Sequence, residues 1–313
     1  MHALTNEQQS LKGEDFLTLL ELDAYLIHAL LNEAAALKKA PIESSLKGKT
    51  LAMIFEKSST RTRVSFEAGM LQLGGHALFL SSSDLQLGRG ETIADTAKVL
   101  SSYVDAIMIR TFEHEKAAEL AAHATVPVIN GLTDLYHPCQ ALADLLTIQE
   151  LKGSFSGKKI AYVGDGNNVA HSLMIACVKM GMDFTLASPK GYEADESVIK
   201  EVKNISKQTG SKLEFTCSPQ KAAAGADILY SDVWTSMGQE EESMKRLKDF
   251  EGFQVNAELM NFAKPDAHFL HCLPAHREEE VTAEVIDGPQ SAVFQQAENR
   301  LHAQKALLKM ILC

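Results

Sequence analysis

Apolar and polar positions follow two rhythms along this chain. Short apolar runs at residues 51–55, 76–80, 106–109 and 126–129 read as buried strands. Between them, at 64–73, 92–103 and 116–124, apolar residues recur every third or fourth position, the period of an amphipathic helix. A helical pattern at 22–38 precedes this series. Another, at 138–151, closes it, with Pro138 in the first turn, where its missing N–H costs nothing. A second series follows, with strand-like runs at 159–163, 184–187, 213–216, 228–230 and 268–271 and helical stretches at 169–180 and 195–208. Such alternation predicts an α/β fold of two domains, each a mostly parallel sheet flanked by helices, with the active site in the interdomain cleft. The segment 152–157, Lys-Gly-Ser-Phe-Ser-Gly, is the expected boundary, giving domains at 1–150 and 151–296. A last helical pattern at 297–313 is expected to pack back on the first domain.

Composition narrows the picture. The 313 residues match two ordinary domains, and 45% hydrophobic content is enough to bury cores without disulfide or metal staples. Asp and Glu outnumber Lys and Arg by 41 to 30, a formal charge of −11, the wrong sign for a nucleic-acid-binding surface. No apolar run approaches the ~18 residues that span a bilayer, so no membrane partner is expected. Residues 1–23 lack a basic stretch followed by an apolar one and set several acids against Lys12 alone, so no secretory or transit segment is expected. Cys139, Cys177, Cys217, Cys272 and Cys313 are odd in number and never spaced as C-x-x-C. That argues against zinc ribbons and disulfide frameworks and for a reducing, cytoplasmic setting.

Only seven of the 30 basic residues are Arg, so their placement carries information. Arg61 and Arg63 fall with Ser59, Thr60 and Thr62 in a turn between a strand and a helix. A helix start there offers unpaired N–H groups and the positive end of its dipole, and Arg61 adds a planar fork suited to phosphate oxygens. A plain N-cap with solvated arginines is the simpler reading. Four donors at the carboxyl end of a strand, where α/β proteins bind ligands, favour an anion site. His137 and Gln140 lie one turn apart at another helix start, offering a donor for a carbonyl and an amide for an NH2 group, or merely a cap. Arg110 ends a strand and is placed to point at the same ligand.

Gly164-Asp165-Gly166-Asn167-Asn168 sits between a strand and a helix, which invites a dinucleotide reading. Val169 occupies the place of the third fingerprint glycine, however, and residues 186–189 lack the acid that would hold a ribose. Asn168 remains a candidate partner for a carboxylate or amine. Residues 232–238 hold the one Trp, Trp234, and run toward an expected acidic helix at 239–242. They read as an aromatic-anchored loop, or as a mobile loop with Asp232 for a cationic ligand. Residues 271–277 place Cys272 between two histidines, either as a buried apolar thiol or as a tuned one, in no recognised zinc spacing.

In this order, residues 59–63, 84–92, 137–140, 232–238, 271–274 and 298–300 resemble the ornithine carbamoyltransferases over nearly the whole chain. The first and third motifs are shared with aspartate carbamoyltransferases, whereas Ser236-Met237-Gly238 and His271-Cys272-Leu273-Pro274 are similar to the ornithine type. The family usually carries an acidic residue where this chain has Gln295. The resemblance implies transfer of the carbamoyl group of carbamoyl phosphate to the δ-amine of L-ornithine, giving L-citrulline and phosphate. It implies no metal or cofactor, and a homotrimer with shared active sites. The first domain would bind carbamoyl phosphate and the second ornithine.

Residue by residue, the resemblance places Ser59, Thr60, Arg61 and Thr62 on the phosphate, joined by Gln86 of a neighbouring subunit. Arg110 and His137 would polarise the carbamoyl carbonyl and Gln140 would bind its NH2 group, with Cys272, Leu273 and Arg300 approaching from the second domain. Asn168, Ser236 and Met237 would lie near the ornithine carboxylate and Asp232 by its α-ammonium. Cys272 would sit by the δ-amine as orienting group or proton acceptor. A carbamoyltransferase for aspartate, putrescine or an acylated ornithine would keep the phosphate half and alter residues 232–238. A nicotinamide oxidoreductase would leave the Arg61 and His137 clusters unexplained, and a non-catalytic member would be expected to have lost one of the paired groups.

Overall fold

The computed structural model describes residues 10–81, 90–235 and 240–313. By contacts the chain divides into Met1–Gly131 with His302–Cys313, and Leu132–Leu301. The first unit contains α1 (Ala24–Lys39), β1 (Thr50–Phe55), α2 (Thr60–Gln72), β2 (His76–Ser81), α3 (Ile93–Ser101), β3 (Ala106–Arg110), α4 (His114–His123) and β4 (Val128–Leu132). Its sheet runs in the order β2-β1-β3-β4, with β1 parallel to both β2 and β3. Strand β1 is apolar after its first residue because, as an inner parallel strand, it is buried on both faces. Ala52, Ile54, Ile107 and Ile109 pack with Ala97, Leu120 and Val128 from the neighbouring elements. Register sets Phe55 beside Arg110, so the ends of β1 and β3 lie together.

The second unit contains α5 (Pro138–Lys152), β5 (Lys159–Val163), α6 (Asn168–Lys179), β6 (Asp183–Ala187), α7 (Glu196–Thr209), β7 (Leu213–Thr216), α8 (Pro219–Ala223), β8 (Ile228–Ser231), α9 (Ser243–Asp249), α10 (Ala257–Met260), β9 (His268–His271) and α11 (Ala283–Ile286). Helix α12 (Val293–Leu312) begins in this unit and ends in the first. The sheet order is β7-β6-β5-β8-β9, every ladder parallel. Its core sets Ala161, Val163, Leu229 and Phe269 against Trp234 and Phe250, whose rings stack at 5.5 Å.

Both parallel sheets follow from the alternating pattern. Helices α8, α10 and α11 escape it because four or five residues are too few to display a 3.6 period. The expected acidic helix at 239–242 is a 3-10 turn at Glu240–Glu242 leading into α9. Contacts group α5 with the second unit. It is buried from Pro138 to Ile148, and Asp144 and Thr147 bond to Tyr230 and Asn299. Among the described residues no helix is long and apolar enough to cross a membrane.

The turn after β5 depends on close backbone approach at Gly166, whose N–H donates to the Tyr192 carbonyl at 2.9 Å. A Cβ there would lie 2.3 Å from the Ala194 nitrogen and 2.5 Å from the Glu193 carbonyl carbon. Neither is a flexible side chain that can move aside. Gly166→Ala is therefore expected to cost about 3 kcal/mol or more, read as a lower urea midpoint with an unchanged slope. An unchanged midpoint would show that this approach is slack.

Candidate active site

In the first unit the anion-site candidates gather where β1 meets α2. Ser59 is the N-cap, extended at φ −162°, and its Oγ accepts the Thr62 N–H at 3.1 Å. A hydroxyl that accepts still carries its own proton, so the capping and ligand-binding readings of Ser59 are compatible. Thr62 is buried, and Arg110, buried at the end of β3, points Nη1 at its Oγ1 from 3.5 Å. Arg63 turns elsewhere, pairing with Glu67 at 3.0 Å and lying over the Phe79 ring at 3.7 Å. Arg61 stands on the first turn of α2, at the helix start. A concavity of about 580 Å³, lined by Phe55, Ser59, Thr60, Arg63 and Phe79 among others, opens beside the turn.

In the second unit His137 and Gln140 begin α5, both buried. The His137 N–H donates to Ser172 Oγ at 2.7 Å, fixing the helix start against α6. Gln140 accepts from Arg300 Nη1 through Oε1 and donates from Nε2 to Asp144, both at 2.8 Å. Asp232, just past β8, is buried and collects three donors. Cys272 Sγ and the Val233 N–H reach its Oδ1, each at 2.9 Å, and Asn167 Nδ2 reaches Oδ2 at 2.9 Å. Asn168 donates instead to the Thr133 carbonyl at 2.6 Å. Leu273 lies in the left-handed region at φ +57°, and its N–H donates to His271 Nδ1 at 2.9 Å. The other ring nitrogen of His271 meets the buried Glu280 at 3.1 Å, so both are engaged. Gln86, Ser236 and Met237 lie outside the described residues.

Several of these partners were not singled out by sequence. Asn167 caps α6 through Oδ1, and its amide nitrogen reaches Asp232; only the doubled Asn at a helix start hinted at it. Asp144 and Gln296 lie in helix interiors, where a polar residue reads as a solvated face. Burial pushes the Asp144 carboxyl up to about 6 despite hydrogen bonds from Gln140, Gln296 and Tyr230. Gln295, the departure from the family pattern, donates to Glu150 at 2.7 Å, a contact that a carboxylate at 295 would turn into repulsion.

Arg246 of α9 anchors the chain that follows Asp232. It is buried, donates at 2.7 Å to Asp165 and at 2.9 Å to the Trp234 carbonyl, and pairs with Glu242 at 3.1 Å. Burial raises the Asp165 carboxyl from its ordinary value, and Arg246 opposes that rise. Arg246→Met would leave a buried carboxylate without its cation, costing about 3–5 kcal/mol at pH 8. Asp165 would then titrate still higher. An acid raised in the folded state gains stability as pH falls, so the deficit should shrink toward pH 5 in urea melts. A deficit independent of pH would mean that packing, not charge, is lost.

Residues 14–150 match the family described as "Aspartate/ornithine carbamoyltransferase, carbamoyl-P binding domain", and residues 156–311 match its "Asp/Orn binding domain". The ornithine carbamoyltransferase of Bacillus subtilis is 68% identical over 312 residues, spanning 100% of this chain and 97% of that protein. Among solved structures, the ornithine carbamoyltransferase from Pyrococcus furiosus superposes with a TM-score of 0.94 at 57% identity, over 97% of this chain and 98% of the other. An N-acetyl-L-ornithine transcarbamylase superposes with a TM-score of 0.87 at 33% identity, over 96% of this chain and all of the other. On both the matched domains and these relatives, the chain belongs to the aspartate/ornithine carbamoyltransferase family.

Proposed function

We propose that this chain transfers the carbamoyl group of carbamoyl phosphate to the δ-amine of L-ornithine, giving L-citrulline and phosphate. The observation that carries the ornithine half is the buried Asp232 carboxylate. It is held by Asn167 and by the Cys272 thiol at the foot of the segment containing Ser236 and Met237. A fixed anion beside a thiol suits a diamino acid better than a dicarboxylate such as aspartate, which it would repel. The curated relatives at 59–68% identity bear the name ornithine carbamoyltransferase, which supports the same acceptor.

In this reading Ser59, Thr60, Arg61 and Thr62 bind the phosphate, with Gln86 of a neighbouring subunit in a homotrimer. Arg110 and His137 polarise the carbamoyl carbonyl and Gln140 accepts from its NH2 group, with Cys272, Leu273 and Arg300 alongside. Asp232 takes the α-ammonium, and Asn168, Ser236 and Met237 the carboxylate end. The domain at 1–150 serves carbamoyl phosphate and that at 151–296 ornithine. The five cysteines form no disulfide, which suits a reducing cytoplasm.

The chemistry follows from these groups. A δ-ammonium with an amine pKa of about 10.4 must lose its proton before it can attack, and cationic neighbours in a dry site favour that loss. The nitrogen lone pair then attacks the carbonyl carbon, and in this reading Arg110, His137 and Thr62 supply the donors for the growing oxyanion. The C–O bond to phosphate breaks, and phosphate leaves into the turn at Arg61, where its charge is matched. The amine's protons pass to the phosphate or to Cys272. No step calls on a metal or redox group.

The deciding experiment compares ornithine, aspartate, putrescine and N-acetylornithine as acceptors at equal concentration with fresh carbamoyl phosphate. Selective formation of citrulline is expected; turnover of another amine would overturn the second half of the site. Arg61→Lys keeps the charge but loses the fork, so kcat/KM should fall about 100-fold with the melting temperature nearly unchanged. Wild-type kinetics in that variant would remove Arg61 from the site.

A further inference from the structure

The Gln140 amide is held between two groups whose hydrogen-bonding roles cannot be exchanged. A glutamine amide can be turned over with little change of shape, so its neighbours decide which end is oxygen. Arg300 has only donors and lies 2.8 Å from one end; an ionised Asp144 has only acceptors and lies 2.8 Å from the other. One assignment satisfies both, with Oε1 toward Arg300 and Nε2 toward Asp144. All three side chains are at most 2% exposed, so water does not relax the choice.

Asp144 also reaches further. Its Oδ1 accepts from Gln296 Nε2 at 2.7 Å and its Oδ2 from the Tyr230 hydroxyl at 3.2 Å. Gln296 Nε2 lies 3.0 Å from the Tyr230 oxygen, while its Oε1 accepts the His271 N–H at 2.9 Å. One carboxylate on α5 thus joins the His137–Gln140 turn to the end of β9, one residue before Cys272. Such an interior carboxylate is costly to keep, and nothing in the proposed chemistry touches it.

We infer that Asp144 is a positioning residue, which holds Gln140 with its oxygen as the acceptor for the NH2 group of carbamoyl phosphate and steadies the strand end that carries Cys272. The inference rests on the reading that Gln140 receives that NH2 group. A substrate NH2 is a donor, and so is Arg300, so Gln140 serves both only in the orientation Asp144 imposes. The titratable and charged groups facing Asp144 are Tyr230 on β8, Tyr162 on β5, Cys177 on α6 and Arg300 on α12. Burial holds Tyr162, Tyr230 and Cys177 well above their ordinary values and hence neutral, which leaves Arg300 as the one charged group of the four. Burial also lifts Asp144 to about 6, so below that pH it carries its own proton and the charge-assisted hold of Oδ1 on the amide weakens to that of a neutral carbonyl oxygen.

The test compares Gln140→Ala, Asp144→Leu and Asp144→Asn with wild type in steady-state citrulline formation. Asp144→Leu removes the acceptor, and the KM for carbamoyl phosphate should rise about tenfold or more with a smaller change in kcat. Asp144→Asn keeps an acceptor oxygen without the titrating proton. At pH 8 its KM should already stand near the level that wild type reaches below pH 6, and it should lose the rise that wild type shows as pH falls through 6. Should Asp144→Leu fail to fold, the pH profile of Asp144→Asn decides alone. A wild-type profile in Asp144→Asn, or an unchanged KM in folded Asp144→Leu, overturns the inference provided that Gln140→Ala raises KM. An unchanged KM in Gln140→Ala overturns the role of Gln140 itself, and the inference with it.

Discussion

A parallel sheet sends its strand ends the same way, and that constraint places many of the candidate functional groups described in this protein. In the first unit β1 leads to Ser59 and Thr62, and β3 ends on Arg110. In the second, β5 leads to Asp165 and Asn167, β8 to Asp232 and β9 to Cys272. Helices return the chain to the opposite edge, so each crossover delivers another set of side chains to the same edge of its sheet. Helix starts gather there too, bringing unpaired N–H groups and positive dipole ends, which suits anionic ligands before any side chain is chosen.

Polar groups at these strand ends are mostly buried, so each must be paid for by a partner. The pairing differs between the two units. In the first, the turn is built from hydroxyls and guanidinium donors, groups that lose little by waiting for an anion. In the second, carboxylates dominate: Asp144, Asp165, Asp232 and Glu280 are all buried, and each is engaged by amide, thiol, imidazole or guanidinium donors. Such networks cost desolvation and repay it in fixed orientation, since each donor removed leaves a buried charge exposed to nothing.

What could be read from the sequence follows from how local each signal is. Ser59, Arg61, His137 and Cys272 stand within a few residues of a strand end or helix start, where composition and position together speak. The two sheets were equally legible, because apolar runs and helical periods are local patterns. Asp144, Gln296 and Arg246 were not. Each is a polar residue in a helix, and nothing nearby distinguishes a buried member of a network from a solvated face. Asp144 and Gln296 are 152 positions apart yet 2.7 Å distant, a pairing only the fold can create. Asn167 was hidden by its neighbour Asn168, since two identical residues at one helix start look interchangeable until their directions are known.

The cap that Ser59 supplies to α2 and its proposed role as a phosphate ligand together narrow the sequences that position 59 can explore. Alanine removes the helix cap and the hydroxyl donor together, so stability and ligand binding would decline in one step. Aspartate keeps the cap but turns a negative charge toward the proposed anion site, and glycine keeps part of the capping preference but no side-chain donor. Threonine retains an accepting oxygen and a proton to donate on one atom, whereas asparagine splits them between Oδ1 and Nδ2, as Asn167 does at the start of α6. A hydroxyl at this position puts folding and recognition on one oxygen atom, so neither can be tuned without moving the other.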